Sequence, residues 1–201
     1  MGGERKSLVL SAGTKRTIAY HEAGHTLVAK FTDGADPVNK VSIIPRGMAL
    51  GVTQQLPVED KHLYTKKQVG AMLAILMGGR LAEEICLGDI STGAENDIAK
   101  ATEIAENMVK RWGMSAVLGP IKWGKESEHP FLGSQMIDSN QSYSEEMAKM
   151  IDQEVIGLIE GACQSARKII LENRGKLEAL AGALLEKETL GGTEIDEIIK
   201  G

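Results

Sequence analysis

The sequence predicts a mainly α-helical domain that carries one small β-hairpin. Apolar residues recur at helical spacing in several long stretches of the chain. Side-chain caps precede most of these stretches, and only two short runs are rich in β-branched residues. With 201 residues and 42% hydrophobic content, the chain is long enough to bury one good core.

The chain divides into a short leading segment and one domain. Residues 1–10 are interpreted as a linker or a cloning remnant, and the chain as a piece of a longer protein. The domain, residues 11–201, comprises a core over 11–112, a long loop over 113–141 and C-terminal helices over 142–201. The loop lacks periodicity and is either functional or partly disordered.

The first predicted helix contains the pentapeptide His-Glu-Ala-Gly-His at residues 21–25. His21 and His25 lie one turn apart on one face, so both rings can bind a single zinc ion. Glu22 lies about 100° around the helix, where its carboxylate can take a proton from a water on the metal. The pattern is typical of a zinc-dependent peptidase.

The ends of this helix are also marked. Ser11 or Thr14 can cap its start, and Asp33-Gly34 ends it. Gly24, inside the motif, costs about 1 kcal/mol relative to alanine in a helix. A glycine at this position therefore indicates close approach of another backbone or of a substrate.

Two predicted strands follow, over residues 38–44 and 49–56, and form a hairpin that packs on helices. One edge of the hairpin is expected to be unpaired and could take a substrate peptide as an added strand. A purely structural hairpin is the equal alternative. The residues assigned to the substrate contact are Val41, Ile43, Gly51 and Val52.

The next predicted helix begins with a capping box at residues 65–68 and stops at Gly88. Gly78-Gly79 in its middle indicates tight helix packing or a kink. Its two carboxylates, Glu83 and Glu84, are most simply expected on a solvated face.

Another capping box at residues 92–95 predicts a helix that runs to about Trp112. Asp97 lies in its first turn, where acidic residues are common because of the helix dipole. Helices over 142–173, 176–187 and 193–200 complete the chain. The first two are expected to form an antiparallel hairpin that serves either as scaffold or in subunit assembly.

Composition excludes several functions. A net charge of −5 argues against nucleic-acid binding. The longest apolar stretch, residues 69–77, has about half the length needed to span a bilayer. The sequence also lacks a Gly-x4-Gly-Lys-Ser/Thr nucleotide loop.

The motif leaves a catalytic zinc ion one protein ligand short, and that ligand must come from a distant segment. Residue chemistry allows several candidates and does not choose among them. These candidates are His62, Glu83, Glu84, Asp89, Asp97 and His129.

Five blocks of the sequence together resemble the peptidase domain of FtsH, the membrane-anchored AAA protease family. They are Thr-Ile-Ala-Tyr-His-Glu-Ala-Gly-His (17–25), Lys-Val-Ser-Ile-Ile-Pro-Arg-Gly (40–47), Gly-Gly-Arg-Leu-Ala-Glu-Glu (78–84), Ser-Thr-Gly-Ala-Glu-Asn-Asp-Ile (91–98) and Ile-Asp-Gln-Glu-Val (151–155). The resemblance implies that Asp97 is the third ligand of one zinc ion per chain. It implies for Glu83 an outer or structural role, with ligation as the rival.

The resemblance also implies an activity. The chain is expected to be a zinc-dependent endopeptidase domain that hydrolyses unfolded or misfolded proteins, including membrane proteins, with a zinc-activated water and Glu22 as general base. ATP would bind only in an ATPase module outside this chain. The implied assembly is a homo-hexamer on the cytoplasmic face of the bacterial inner membrane, or on an organelle membrane, anchored by segments outside this chain.

Two alternatives belong to other classes of protein. One is a metallohydrolase that uses the same ligands on a non-peptide substrate. The other is a non-catalytic helical assembly module in which His21 and His25 are core residues.

Overall fold

The computed structural model of the chain describes residues 10–45, 51–55, 63–123 and 143–201. Over these ranges the chain forms six α-helices and three short strands, which confirms the mainly α fold class. The helices are α1 (Ala12–Phe31), α2 (Lys66–Leu87), α3 (Glu95–Lys110), α4 (Glu145–Glu172), α5 (Arg174–Lys187) and α6 (Gly192–Lys200). The strands are β1 (Val38–Ser42), β2 (Val52–Gln55) and β3 (Thr189–Gly191).

Local caps set the start of α1 and both ends of α2 where the sequence predicts them. The Ser11 hydroxyl accepts a hydrogen bond from the Thr14 N–H at 3.1 Å, and Thr65 and Gln68 form a reciprocal capping box at the start of α2. Gly88 ends α2 in the left-handed region at φ +74°, which favours glycine.

Helices α1 and α2 form the centre of the fold and cross at two glycines. A Cβ atom at Gly24 would lie 2.4 Å from the carbonyl oxygen of Gly78, so the two backbones are in direct contact there. The predicted close approach at Gly24 is therefore confirmed, and its partner is another helix. This crossing brings the motif of α1 against the middle of α2.

The sheet has the order β2-β1-β3, with antiparallel pairing throughout. The predicted hairpin is present as β1 and β2, with Val41 opposite Thr53. Strand β3 was not predicted; its Leu190 pairs with Val41 on the other side of β1. Strand β1 is therefore central, and β2 lies at an edge beside α1.

The predicted capping box at residues 92–95 is wrong, although α3 begins at Glu95 as expected. The cap is one residue earlier: the Ser91 hydroxyl accepts from the Gly93 N–H and starts a single 3-10 turn over Thr92–Ala94. That turn leads directly into α3, with no side-chain cap at Ala94.

Helices α4 and α5 make little contact with each other, unlike the two helices of the predicted antiparallel hairpin. Asn173 alone separates α4 from α5. Beyond that junction, α4 packs on α2 and α3, whereas α5 packs mainly on α1. Both helices contribute to the same core as the motif helix, so residues 143–201 are integral to the structure that holds the site.

The predicted loop over 113–141 lies partly outside the described residues. Its first part, up to residue 123, is mostly irregular backbone with one short turn at residues 116–118. There the Ser115 hydroxyl donates to Glu154 of α4 at 2.6 Å. Within the described ranges, no helix combines the length and apolar character that crossing a bilayer requires.

Candidate metal centre

Three side chains from two helices converge on one point. The Nε2 atoms of His21 and His25 lie 2.9 Å apart. The Asp97 Oδ2 atom lies 3.1 Å from the first nitrogen and 3.2 Å from the second. Among the described residues, this is the group of histidine and carboxylate side chains placed to share one metal ion. It is the ligand set that the resemblance implies.

The second nitrogen of each imidazole is held by an acceptor on α2. His21 Nδ1 donates to the Glu83 carboxylate at 2.6 Å, and His25 Nδ1 donates to the Ile75 carbonyl oxygen at 2.7 Å. A carbonyl oxygen can only accept, so the hydrogen of His25 is on Nδ1. Both contacts fix ring orientation and direct the Nε2 lone pairs into the site.

This donor set fits a cation. With both Nδ1 atoms protonated, neutral imidazoles place two lone pairs and a carboxylate oxygen against each other within 3.2 Å. These atoms repel one another unless a positive charge lies among them. Two imidazole nitrogens and one carboxylate oxygen are ligands that Zn²⁺ accepts, with a fourth position left for water or substrate.

The pKa values of the site show the same demand for positive charge. Burial on its own lowers the pKa of His21, but hydrogen bonds with Asp97 and Glu83 outweigh burial and raise it to about 9. Burial raises the pKa of Asp97, yet its hydrogen bonds with His21 and His25 hold that pKa well below the ordinary value. A proton or a metal ion can supply the charge that these groups favour.

Gly79 of α2 borders the converging nitrogens. A Cβ atom there would lie 2.6 Å from His21 Nε2 and 2.6 Å from His25 Nε2. Any side chain at this position would therefore collide with the two imidazoles. The two glycines act at different contacts: Gly78 allows α1 and α2 to cross, and Gly79 leaves room for the imidazoles of His21 and His25.

Glu22 is only 6% exposed, and its carboxylate lies close enough to His25, His21 and Asp97 for their charges to act on its pKa. Its Oε2 atom accepts from the Thr53 hydroxyl at 2.7 Å, and a Cβ atom at Gly51 would lie 2.6 Å from its Oε1 atom. Burial raises the pKa of Glu22, while His25 and the Thr53 hydroxyl act in the opposite direction. A carboxylate with a raised pKa is suited to accept and return a proton.

The sequence predicts that Glu83 lies on a solvated face, and this prediction is wrong. Glu83 is 1% exposed, and its second oxygen accepts from the Ser91 N–H at 2.7 Å. Burial raises its pKa, but the hydrogen bonds from His21 and Ser91 bring it below the ordinary value. Glu83 therefore orients His21 in this structure and does not point at the shared donor atoms.

Of the other candidate ligands, the two that lie among the described residues, Glu84 and Asp89, are not brought to this site. Glu84 is half-exposed and pairs with Arg167 at 2.7 Å, and Asp89 is exposed. His62 and His129 lie outside the described residues.

The four residues assigned to substrate contact separate into two groups. Val41 and Ile43 are 0% and 1% exposed. Val41 lies in β1 and Ile43 directly follows it, and both side chains are part of the buried core, so we do not retain them as substrate-binding residues. Gly51 and Val52 are half-buried at the start of the edge strand and remain candidates, with Gly51 next to Glu22.

Sequence reasoning missed Thr53, Ser91 and the carbonyl group of Ile75 as neighbours of the site. A backbone carbonyl and a single hydroxyl on a short strand carry no pattern of their own. Gly78-Gly79 was the available signal for the contact between α2 and the motif helix, since two adjacent glycines inside a buried helix indicate close contact.

Comparison with known proteins gives the family. The model of peptidase family M41 matches residues 8–198. Similar relatives include ATP-dependent zinc metalloprotease FtsH of Syntrophotalea carbinolica, 49% identical over 200 residues, FtsH 4 of Sorangium cellulosum, 52% over 202, and FtsH of Acidobacterium capsulatum, 51% over 201. Each alignment covers 100% of this chain and 31% of the relative. The resemblance to the FtsH peptidase domain is thus confirmed, and the chain belongs to peptidase family M41.

Proposed function

We propose that this chain is the zinc-dependent endopeptidase domain of a larger ATP-dependent protease. The observation that carries the proposal is the convergence of His21, His25 and Asp97, with the Glu22 carboxylate beside them. Membership of a peptidase family supports a peptide bond as the target. The relatives are named zinc metalloproteases, which supports zinc as the metal.

In this proposal His21, His25 and Asp97 hold one zinc ion per chain. The ion, when bound, acts as a Lewis acid that activates water and polarises the scissile carbonyl. Glu83 and the Ile75 carbonyl hold the two imidazoles in the tautomer that presents Nε2. Glu83 is thus proposed as an orienting residue and not as a ligand.

Glu22 is the proposed general base. Its position directly after His21 on α1 places its carboxylate next to the ligand face, and its burial keeps bulk water away. It accepts a proton from the attacking water and returns it to the leaving amine. A positioned general acid–base of this kind contributes about 10²–10⁴-fold to the rate.

The whole protein is proposed to contain more than this chain. Each relative named above is about three times as long, and their names describe ATP-dependent enzymes. We propose that ATP is used by an ATPase module outside this chain, that six copies form a ring, and that membrane segments elsewhere anchor it at the cytoplasmic face. Its substrates would be unfolded and membrane proteins.

Zinc analysis and unfolded casein test the proposal together. We expect about one zinc ion per wild-type chain and cleavage of casein. Glu22→Gln should keep the zinc and lose cleavage by at least about 100-fold. Asp97→Ala should lose both zinc and cleavage, while the exposed Asp89→Ala, a matched control, should keep both.

Each result that contradicts the proposal identifies a different error. Wild-type cleavage by Glu22→Gln would remove the general base, and zinc retained in Asp97→Ala would move the third ligand to Glu83. Casein left intact by zinc-loaded wild type would favour a non-peptide substrate. Failure of wild type to bind zinc would favour the helical assembly module.

A further inference from the structure

The Glu22 carboxylate is held from outside its own helix by the edge strand β2. The Thr53 hydroxyl donates to Glu22 Oε2 at 2.7 Å. The Glu22 carbonyl oxygen is farther from the same hydroxyl, at 3.2 Å. One hydroxyl hydrogen serves one strong bond, and the shorter distance together with the negative charge of the carboxylate favours Oε2.

The other oxygen of this carboxylate lies close to the backbone at Gly51. Gly51 precedes β2, and a Cβ atom there would lie 2.6 Å from Glu22 Oε1 and 2.8 Å from Glu22 Cγ. The chain can pass this close only because residue 51 has no side chain. Gly51 and Thr53 therefore enclose the carboxylate from the same segment, one by contact and the other by a hydrogen bond.

Thr53 itself is well placed to hold another group. It pairs with Val41 of the central strand β1, whose side chain is fully buried. Its oxygen also lies 3.4 Å from the hydroxyl of Thr26 on α1, which is fully buried. The position of the Thr53 hydroxyl is thus fixed by the sheet and by the motif helix at once.

We propose that Thr53 is a positioning residue for the general base: its hydroxyl fixes the Glu22 carboxylate in the orientation that faces the attacking water. This inference rests on the proposed function. A glutamate side chain has three rotatable bonds, and catalysis requires its oxygen to lie within hydrogen-bond reach of the proton it takes. Loss of the hydroxyl would leave the carboxylate in place but free to rotate, so the rate would fall without loss of the metal.

Three variants test this role. Thr53→Val keeps the shape and removes the hydroxyl, Thr53→Ser keeps the hydroxyl and removes the methyl group, and Thr189→Val makes the same change in β3 of the same sheet. We measure zinc content, kcat and KM with an unfolded peptide substrate. Thr53→Val should lower kcat by about 10- to 100-fold, the effect of one hydrogen bond to a charged group.

The remaining readouts separate positioning from a structural effect. Thr53→Val should keep about one zinc ion per chain and a KM within about twofold of wild type, because the bond is made to the base and not to substrate. Thr53→Ser should restore most of kcat, and Thr189→Val should keep it. Wild-type kcat in Thr53→Val, or an equal loss in both Thr53 variants, would overturn the proposal.

A stability cycle tests the contact without activity. Melting temperatures of wild type, Thr53→Val, Glu22→Ala and the double variant show whether the two side chains interact. Thr53→Val should lower the melting temperature less when Glu22 is already alanine. Additive shifts would overturn the proposal even if kcat falls. If the melting-temperature shifts of the two substitutions are coupled but the wild-type chain cleaves no substrate, the proposed function is overturned and the contact between Thr53 and Glu22 stands.

Discussion

Substitution of Gly79 by alanine perturbs the candidate metal centre without changing any proposed ligand. Gly79 lies in the interior of α2, where alanine is the better helix former by about 1 kcal/mol. Propensity alone therefore predicts a more stable protein. The structure predicts the opposite for the site, because the added Cβ atom would lie 2.6 Å from His21 Nε2 and 2.6 Å from His25 Nε2.

The size of the effect follows from these distances. Non-bonded heavy atoms approach to about 3.5 Å, so each of the 2.6 Å gaps must open by roughly 0.9 Å. The two rings cannot retreat freely, since Glu83 and the Ile75 carbonyl hold their other nitrogens at 2.6 and 2.7 Å. Metal–ligand distances tolerate only about 0.2 Å. We therefore expect zinc affinity to fall by at least about 100-fold, the upper range seen when ligand support is lost.

A matched control lies in the same helix. A Cβ atom at Gly70 meets no other described atom within 4 Å. Gly70→Ala should therefore keep the affinity for zinc and gain about 0.5–1 kcal/mol in free energy of unfolding. Comparison of the two variants separates the effect of the methyl group at the site from its general effect on α2.

The assay is competition for zinc against a chelating dye, with helical circular dichroism of the metal-free protein as a check on folding. The expected result is a folded Gly79→Ala variant with weakened zinc binding, beside a Gly70→Ala variant with unchanged binding. Wild-type zinc affinity in folded Gly79→Ala would refute the placement of the metal between the two Nε2 atoms.

Two further predictions concern the helix crossing and the orienting carboxylate. Gly24→Ala should lower the free energy of unfolding by about 1–3 kcal/mol, because its Cβ atom would lie 2.4 Å from the Gly78 carbonyl oxygen. Chemical denaturation measures this beside Gly13→Ala, a control at an open position in α1. Equal stability of the two variants would contradict the prediction. Glu83→Gln should weaken zinc binding by about 10- to 100-fold, because the negative charge that supports His21 is lost. An unchanged zinc affinity in the titration against the chelating dye would disprove this orienting role.

The secondary structure was predictable wherever its signals were local. The capping box at Thr65 lies directly before the first residue of α2, and the left-handed Gly88 lies directly after the last. Strand β3 was not predictable in this way, since it has three residues and forms only because Leu190 pairs with Val41, far away in the chain. The capping error at Thr92 has the same origin, because Ser91 also donates its N–H to the buried Glu83.

The metal site follows the same division. His21 and His25 are on one helix four residues apart, so their convergence follows from helix geometry alone. Asp97 comes from the start of α3, and only the packing of α2 against α1 and α3 brings it to them. Residue chemistry left it among six candidates, and the five-block resemblance was needed to choose it. The expected solvated face for Glu83 is wrong because burial of a carboxylate depends on its partners, here His21 and Ser91, which sequence spacing does not show.

Charge balance gives the strongest physical argument against a non-catalytic helical module. Glu22 is 6% exposed, Glu83 is 1% exposed, and the Asp97 side chain is 18% exposed. Around them are two imidazoles, and without a metal ion a proton on His21 supplies positive charge to the group, because its hydrogen bonds with Asp97 and Glu83 raise its pKa to about 9 despite burial. A buried charge without a partner destabilises a protein by about 3–5 kcal/mol, and apolar residues would fill such a helical core without that cost. Three carboxylates around two oriented imidazoles therefore require positive charge from a proton or a metal ion, and the zinc ion of the proposed function would supply it where packing alone gives no reason for such a group.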